Sequence, residues 1–385
     1  MRTKIAILGS TGSIGKNLLE IISNDFEKYE VVLLTANNNF SDLIKQAKKF
    51  NVKNIIINDQ DSYTSLKKLN KNNKINIYNN YNCFNKVFKK KIDYVMSSIS
   101  GIDGLSPTLK IIRFTKKIAI ANKESIVCAW NLIEKKLKKY QTEFVPVDSE
   151  HFSLWFALKN IPTSNIEKIY LTASGGPLLN ISKSNLKNIK ISQALNHPTW
   201  KMGKKISIDS STMMNKVFEV IEAKHLFNLP YNKISILTHP NSYIHAIVKL
   251  KNGLIKIIAH DTTMKIPIFN TINYEKKLSI TTDDLNLKKL NNLNLKDVNY
   301  KFFPMVNILK MLPNHISLYE TVITTANDYL VNLFLENKIK YDQIQKLLFK
   351  FIKNKKLIKY KKIKPKKIED IIFVKNTVSS NITNF

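Results

Sequence analysis

Short apolar runs rich in β-branched residues alternate with segments of helical period from the N-terminus to Asp148. Residues 5–8, 29–36, 54–58, 74–78, 94–100, 117–121 and 143–148 read as strands. Between them, residues 16–22, 40–50 and 124–140 carry apolar side chains at helical spacing. Such alternation predicts βαβ units, hence an α/β fold whose N-terminal domain, residues 1–148, is a doubly wound, Rossmann-like parallel sheet. After Asp148 the rhythm loosens into a strand at 166–174, a polar stretch to Gly203, a helix starting near Ser211 and a hairpin over 235–260 turning at Asn252 and Gly253. A central α+β catalytic domain is expected over 149–272. Residues 273–301 are rich in Leu, Asn and Lys without a clear period and read as a linker. Residues 302–385 read as a small helical C-terminal domain, with helices over 317–337 and 341–353.

Composition narrows the classes. Uninterrupted apolar runs are short, as in Ile118-Ala119-Ile120-Ala121, against the ~18 residues of a membrane span, and residues 1–15 lack a signal-peptide apolar stretch. The expectation is a cytoplasmic protein with no membrane partner. Two cysteines, Cys83 and Cys128, cannot build a disulfide framework or a thiolate metal cluster. The net charge of +32 on its face suits nucleic acid. The cations, however, are almost all lysine, Arg standing only at Arg2 and Arg113, and they accompany an excess of Asn and Ile. Base and phosphate clamps favour Arg. An AT-rich codon usage accounts for this composition, so no nucleic-acid partner is expected, and a basic nucleic-acid-binding module is kept as the non-enzyme alternative.

Glycine is scarce, nine residues where an average usage of ~7% gives roughly 27, yet Gly9, Gly12 and Gly15 lie within seven positions between a strand and a helix. Such a turn lets backbone N–H groups approach a pyrophosphate at the helix start. After the second strand, where an NAD enzyme carries an acid, stand Thr35, Ala36, Asn37, Asn38 and Asn39, with Lys45, Lys48 and Lys49 beyond. NADP is favoured over NAD.

Two polar clusters carry the chemistry. At a strand end, Asp148 and Glu150 are i, i+2, so in extended backbone their carboxylates face one side and suit a hard cation such as Mg²⁺ or Mn²⁺; taken alone, the pair also fits a cap or a solvated surface. Near Ser210 a capped helix start presents Asn215, Lys216 and Glu219 on one face, as phosphate ligands and a third carboxylate, or as a surface ion pair. Between the clusters, Gly175, Gly176 and Pro177 followed by His197, Pro198, Trp200 and Gly203 outline the two hinges of a lid, residues 174–203.

Taken together, GSTGSIG at 9–15, ANKES at 121–125, VDSEH at 147–151, SGGP at 174–177, HPTWKMG at 197–203 and DSSTMMNK at 209–216 with Glu219 resemble the 1-deoxy-D-xylulose 5-phosphate reductoisomerase family, in order and interval, over nearly the whole chain. The resemblance implies a homodimeric enzyme dependent on NADPH and a divalent metal, Mn²⁺ or Mg²⁺. Its sugar-phosphate substrate is rearranged and reduced to 2-C-methyl-D-erythritol 4-phosphate in non-mevalonate isoprenoid synthesis. It assigns Thr11, Gly12, Ser13, Ile14, Asn39, Asn122, Glu124 and Gly203 to the cofactor, and Asp148, Glu150 and Glu219 to the metal. Lys123, Ser149 and Glu150 line the reacting end, Ser174, His197, Ser210, Asn215 and Lys216 the phosphate end, and Trp200 the lid. The chain departs from the family where Gly-Lys-Asn reads Asn37, Asn38, Asn39, where Leu178 replaces an aromatic residue, and where Asn-Glu reads Asn327, Asp328. A semialdehyde dehydrogenase shares the glycine pattern but needs a nucleophilic cysteine, a role for which neither the polar surroundings of Cys83 nor the helical setting of Cys128 is suited.

Overall fold

Seven apolar runs become parallel strands of one sheet: β1 (Thr3–Leu8), β2 (Tyr29–Ala36), β3 (Asn54–Ile57), β4 (Asn76–Tyr78), β5 (Ile92–Ser97), β6 (Thr115–Ile120) and β7 (Glu143–Pro146). Their order is β4-β3-β2-β1-β5-β6-β7, every pairing parallel. Ile5, Ile7, Leu33, Leu34, Val95 and Met96 are completely buried, as central strands covered on both faces require. The order reverses between β1 and β5, which opens the crevice where such folds bind ligands. The computed structural model that shows this describes residues 2–70 and 74–383; the first residue and the last two of the expected outer domains lie outside the described residues.

The chain forms two units. One consists of residues up to Ser125, Ile133–Asp148 and Met264–Ile280; the other of Ile126–Leu132, Ser149–Thr263 and Thr281 onward. The expected boundaries at 272 and 273–301 therefore change. Helix Lys265–Asn273 belongs to the first unit, because Ile268, Phe269 and Ile272 form an apolar stripe in the core that holds Ile5, Leu18 and Tyr94. Tyr94 Oη lies 2.6 Å from Thr271 Oγ1, and Tyr29 Oη donates to Asn273 Oδ1 at 2.9 Å. A nine-residue stripe is legible only once the core it fills is known.

The second unit carries β8 (Ile166–Ala173), β9 (Ile234–Thr238), β10 (Ile244–Leu250), β11 (Ile255–Ala259) and β12 (Lys296–Asp297), in the order β11-β10-β8-β9-β12. The expected hairpin is confined to β10 and β11, with Gly253 at φ +88° in its turn. β9 instead pairs in parallel with β8, since the helices between them supply the long crossover that parallel strands need. The expected linker is partly structured: helix Leu287–Asn291 and β12 lie within it, and β12 pairs with β9. Helices Tyr319–Leu335, Tyr341–Ile352 and Ile368–Thr383 form the C-terminal helical part, within this same unit, and the first of them packs on helix Lys204–Ser211.

The glycine turn shows how tightly the first unit is built. A Cβ on Gly15 would stand 2.5 Å from Ser10 Cα, and one on Gly9, at φ +84°, would stand 2.9 Å from Ser98 O. We expect Gly15→Ala to lower the free energy of unfolding by about 1–3 kcal/mol, the usual cost of overpacking. Urea denaturation measures it, and an unchanged midpoint would show that the turn relaxes without strain.

Candidate active site

The loop after β1 hangs on β2. Gly9 N donates to Thr35 Oγ1 at 2.9 Å and Ser10 N to Thr35 O at 2.8 Å. Gly12 is the N-cap of helix Ser13–Ser23, in extended conformation, and no side chain caps that helix start. The first amides, those of Ser13 and Ile14 among them, thus face outward beside half-buried Thr11 and exposed Gly12. This cradle fits a dinucleotide pyrophosphate. Asn39 and Asn122, expected at the cofactor, both serve as helix caps. Asn39 Oδ1 accepts from Asp42 N at 3.1 Å; Asn122 Oδ1 accepts from Ser125 N at 2.8 Å, while its Nδ2 donates to Gly101 O at 2.7 Å and to Ile99 O. Glu124 is buried in the first turn of helix Lys123–Tyr140, and Gly203, in the second unit, is the N-cap of Lys204–Ser211.

Asp148, Glu150 and Glu219 each offer a carboxylate oxygen, all within 4.8 Å of one another. Asp148 and Glu150 are held together by the chain itself, which passes from one to the other through Ser149. Their local geometry differs from the extended arrangement expected. β7 stops at Pro146 and a helix begins at Ser149, so Glu150 lies in the first turn of Ser149–Leu158, where the positive end of the helix favours a carboxylate. Glu219 is buried, one turn into helix Met214–Phe227. Two ammonium groups balance the three acids. Lys123 Nζ is 3.1 Å from Asp148 Oδ2, and Lys216 Nζ is 2.8 Å from Glu150 Oε1 and also donates to Glu219. Ser149 Oγ donates to Glu150 Oε2 at 2.5 Å, and Asn215 Nδ2 to Glu219. Lys216 and Asn215, expected at the phosphate end, therefore reach the carboxylates in this structure. All-oxygen donors at this spacing, with cations already drawn among them, fit a divalent Mg²⁺ or Mn²⁺.

At the start of residues 174–203, the expected lid, Gly175 and Gly176 adopt φ +82° and +69°. A Cβ on Gly176 would lie 2.8 Å from Ser210 O, so the backbone there lies directly against half-buried Ser210. Ser174 Oγ lies 2.9 Å from His197 Nε2 and accepts from Gly176 N at 3.1 Å. His197 Nδ1 accepts from Trp200 N at 3.0 Å, so Nε2 carries the proton and donates to Ser174. With its acceptor capacity used, the Ser174 hydroxyl is left to donate. Trp200 is half-buried, with its ring centroid 6.2 Å from that of His245.

Sequence reasoning gave no role to several supporting residues. Buried His151 donates from Nε2 to Glu219 O at 2.8 Å and so fixes the turn that carries Glu219. Buried Asp209 accepts from Asn327 Nδ2 at 2.8 Å and lies 3.0 Å from Lys205 Nζ, which is also 3.0 Å from Asp328 Oδ1. The only advance signal was that His151 and Asp209 sit inside the recognisable motifs. Cys83 and Cys128 are both buried, and burial pushes the Cys83 thiol up to about 11, which removes the nucleophile a semialdehyde dehydrogenase needs.

A Rossmann dinucleotide cradle together with a three-carboxylate hard-metal site defines a metal-assisted, dinucleotide-dependent oxidoreductase. Family models described as 1-deoxy-D-xylulose 5-phosphate reductoisomerase and its C-terminal domains match residues 5–130, 144–227 and 261–380. The enzyme of that name from Pelagibacter ubique is 54% identical over 383 residues, 99% of either chain, and that from Persephonella marina 38% over 373 residues, 96% of this chain and 95% of its own. Among solved structures, the Zymomonas mobilis reductoisomerase in complex with NADPH superposes with a TM-score of 0.86 at 32% identity, covering 99% of this chain and 98% of its own. A DOX-P reductoisomerase in complex with NADPH, fosmidomycin and magnesium gives 0.92 at 30% identity with the same coverage. The chain belongs to the 1-deoxy-D-xylulose 5-phosphate reductoisomerase family, and it is an NADPH-dependent reductoisomerase that requires a divalent metal.

Burial lowers the His197 ring to about 4, so it is neutral at pH 7 and supports a hydroxyl donor rather than supplying charge. Because the folded value lies below that of the unfolded chain, this ring costs stability as pH falls from 6.5 toward 4. NMR titration should place its midpoint well below 6; a midpoint above 6 would refute the neutral assignment.

Proposed function

We propose that this chain converts 1-deoxy-D-xylulose 5-phosphate into 2-C-methyl-D-erythritol 4-phosphate at Asp148, Glu150 and Glu219. The observation that carries the residue assignment is the convergence of these three carboxylates within 4.8 Å. A divalent ion held there supplies Lewis acidity toward the substrate's oxygens, and NADPH supplies the hydride. Ser149 orients Glu150 by donating to it, Asn215 does the same for Glu219, and Lys123 places its positive charge beside Asp148. Lys216 spans two of the acids, which limits their repulsion before a cation arrives. The phosphate end is assigned to Ser174 and Ser210 with Asn215, Lys216 and neutral His197 behind them. The lid, residues 174–203, closes with Trp200 over the substrate and excludes water. Thr11, Gly12, Ser13 and Ile14 hold the dinucleotide, with Asn39, Asn122 and Glu124 framing the cradle and Gly203 contributing from the lid's far hinge.

Two further features belong to this reading. The enzyme acts as a homodimer joined at the free edge of the second sheet: on the hairpin ending in β11, Leu254, Ile255 and Ile257 are 62%, 58% and 49% exposed, and Phe156, on the helix that packs against this strand, is 54% exposed. A bare strand edge with an apolar face is open to pairing. It works in the cytoplasm, a placement supported by two buried free cysteines and by the absence, among the described residues, of any helix long and apolar enough to cross a membrane.

Glu219→Gln should lower turnover by about 10³-fold or more while NADPH affinity stays within about twofold, and excess chelator should abolish wild-type turnover. The absorbance of NADPH reports the first, and full activity with chelator would sink the metal assignment. Ile257→Lys should shift the protein from dimer to monomer in sedimentation velocity; a wild-type monomer would overturn the interface.

A further inference from the structure

An enzyme that selects NADPH needs a cation beside the ribose 2′-phosphate, and a Rossmann fold puts that position at the end of its second strand. Here β2 ends at Ala36, and Asn37, Asn38 and Asn39 follow, all exposed and none charged. Of the lysines on the next helix, Lys48 and Lys49 stand in its last turn, ~12 Å along the axis from Phe40 at the usual rise per residue.

The fold brings in another lysine. Lys16, on the helix that opens at the glycine loop, carries its Nζ to 2.7 Å from Asp42 Oδ2, and Asn39 Nδ2 donates to that same oxygen at 3.1 Å. Asp42 lies in the first turn of helix Phe40–Lys49, whose N-cap is Asn39. A second link fixes the arrangement: Ser10 Oγ donates to Gln46 Oε1 at 2.7 Å and Gln46 Nε2 donates to Ser10 O at 3.0 Å. The ammonium is therefore stationed beside Asn39, the last of the three asparagines, by two independent ties between the glycine loop with its helix and the following helix. The pair is accessible, with side-chain exposures of 54% for Lys16 and 33% for Asp42, and an exposed ion pair separates at little cost. Lys16 holds the Asp42 carboxyl below the usual carboxylate range, with Lys45 adding a smaller attraction.

We propose that Lys16 is the residue that selects NADPH over NADH in this chain, its ammonium leaving Asp42 to meet the 2′-phosphate while Asp42 restrains the strength of that contact. The proposal rests on the glycine loop being the dinucleotide site. It follows physically because a neutral ribose hydroxyl gains little from an ammonium, whereas a phosphate dianion gains a charge-assisted hydrogen bond. The Asp42 carboxylate, left unpaired beside the phosphate, opposes it.

The test is direct cofactor binding to the full chain, followed by the fluorescence of NADPH and of NADH. Lys16→Met should weaken NADPH about tenfold and NADH by less than about twofold. Lys45→Met should change neither by more than about twofold, and Asp42→Asn should raise the preference for NADPH. Equal loss of both cofactors in Lys16→Met, no loss of either, a loss that follows Lys45 instead, or a preference that fails to rise in Asp42→Asn each overturns the proposal. The underlying site has its own control: Gly12→Asp should abolish binding of both cofactors, and retained NADH binding would remove the dinucleotide from this loop and the proposal with it.

Discussion

Three carboxylates brought within 4.8 Å of one another are the constraint around which the rest of the site is arranged. At an effective dielectric near 20, each like-charged pair at such a distance costs on the order of 3–4 kcal/mol. The fold meets this cost with positive charge placed to match: Lys123 against Asp148, Lys216 between Glu150 and Glu219, and a helix N-terminus under Glu150. An ammonium neutralises but cannot polarise a substrate as a divalent ion can, so the same arrangement leaves the acids ready for a stronger cation.

Holding that arrangement is the task of residues with no chemistry of their own. His151 bonds the backbone of Glu219, and the Asp209, Lys205, Asn327 and Asp328 network ties helix Lys204–Ser211 to helix Tyr319–Leu335. Tyr341 Oη adds a bond to Ser211 Oγ at 3.1 Å. The C-terminal helices thereby brace the helix that carries Ser210 and Ser211. Where the family pattern has Asn-Glu, Asp328 pairs with Lys205.

The large positive charge has little to do with any of this. The groups proposed for recognition are mostly uncharged: backbone amides at the start of helix Ser13–Ser23, the hydroxyls of Ser174 and Ser210, and a neutral His197, with only a few lysines in defined positions. Several other lysines pair with nearby acids, as Lys249 does with Glu167 and Lys346 with Asp342, or lie over aromatic rings as Lys224 does over Tyr231. Charge count is thus a poor guide to function when codon composition sets it.

By itself the sequence determined the parallel sheet, through apolar runs that can be satisfied only by burial on both faces, and the glycine turn, through three residues lacking Cβ in a chain otherwise short of them. It also nominated the three acids, through the family resemblance of the motifs that carry them, whereas the spacing of Asp148 and Glu150 and of Asn215, Lys216 and Glu219 alone left a cap or a surface ion pair open. Tertiary structure decided what local pattern cannot carry. Helix Lys265–Asn273 joins the first unit although the chain there shows no strong period, since a short stripe gains its meaning from the core that receives it. β9 pairs with β8 rather than with its sequence neighbour β10. Lys216 turns to the carboxylates, and Lys16 reaches Asp42 across 26 residues. Long flexible side chains are placed by whichever partner the fold brings within a few ångströms, and sequence spacing says nothing about partners that far apart along the chain.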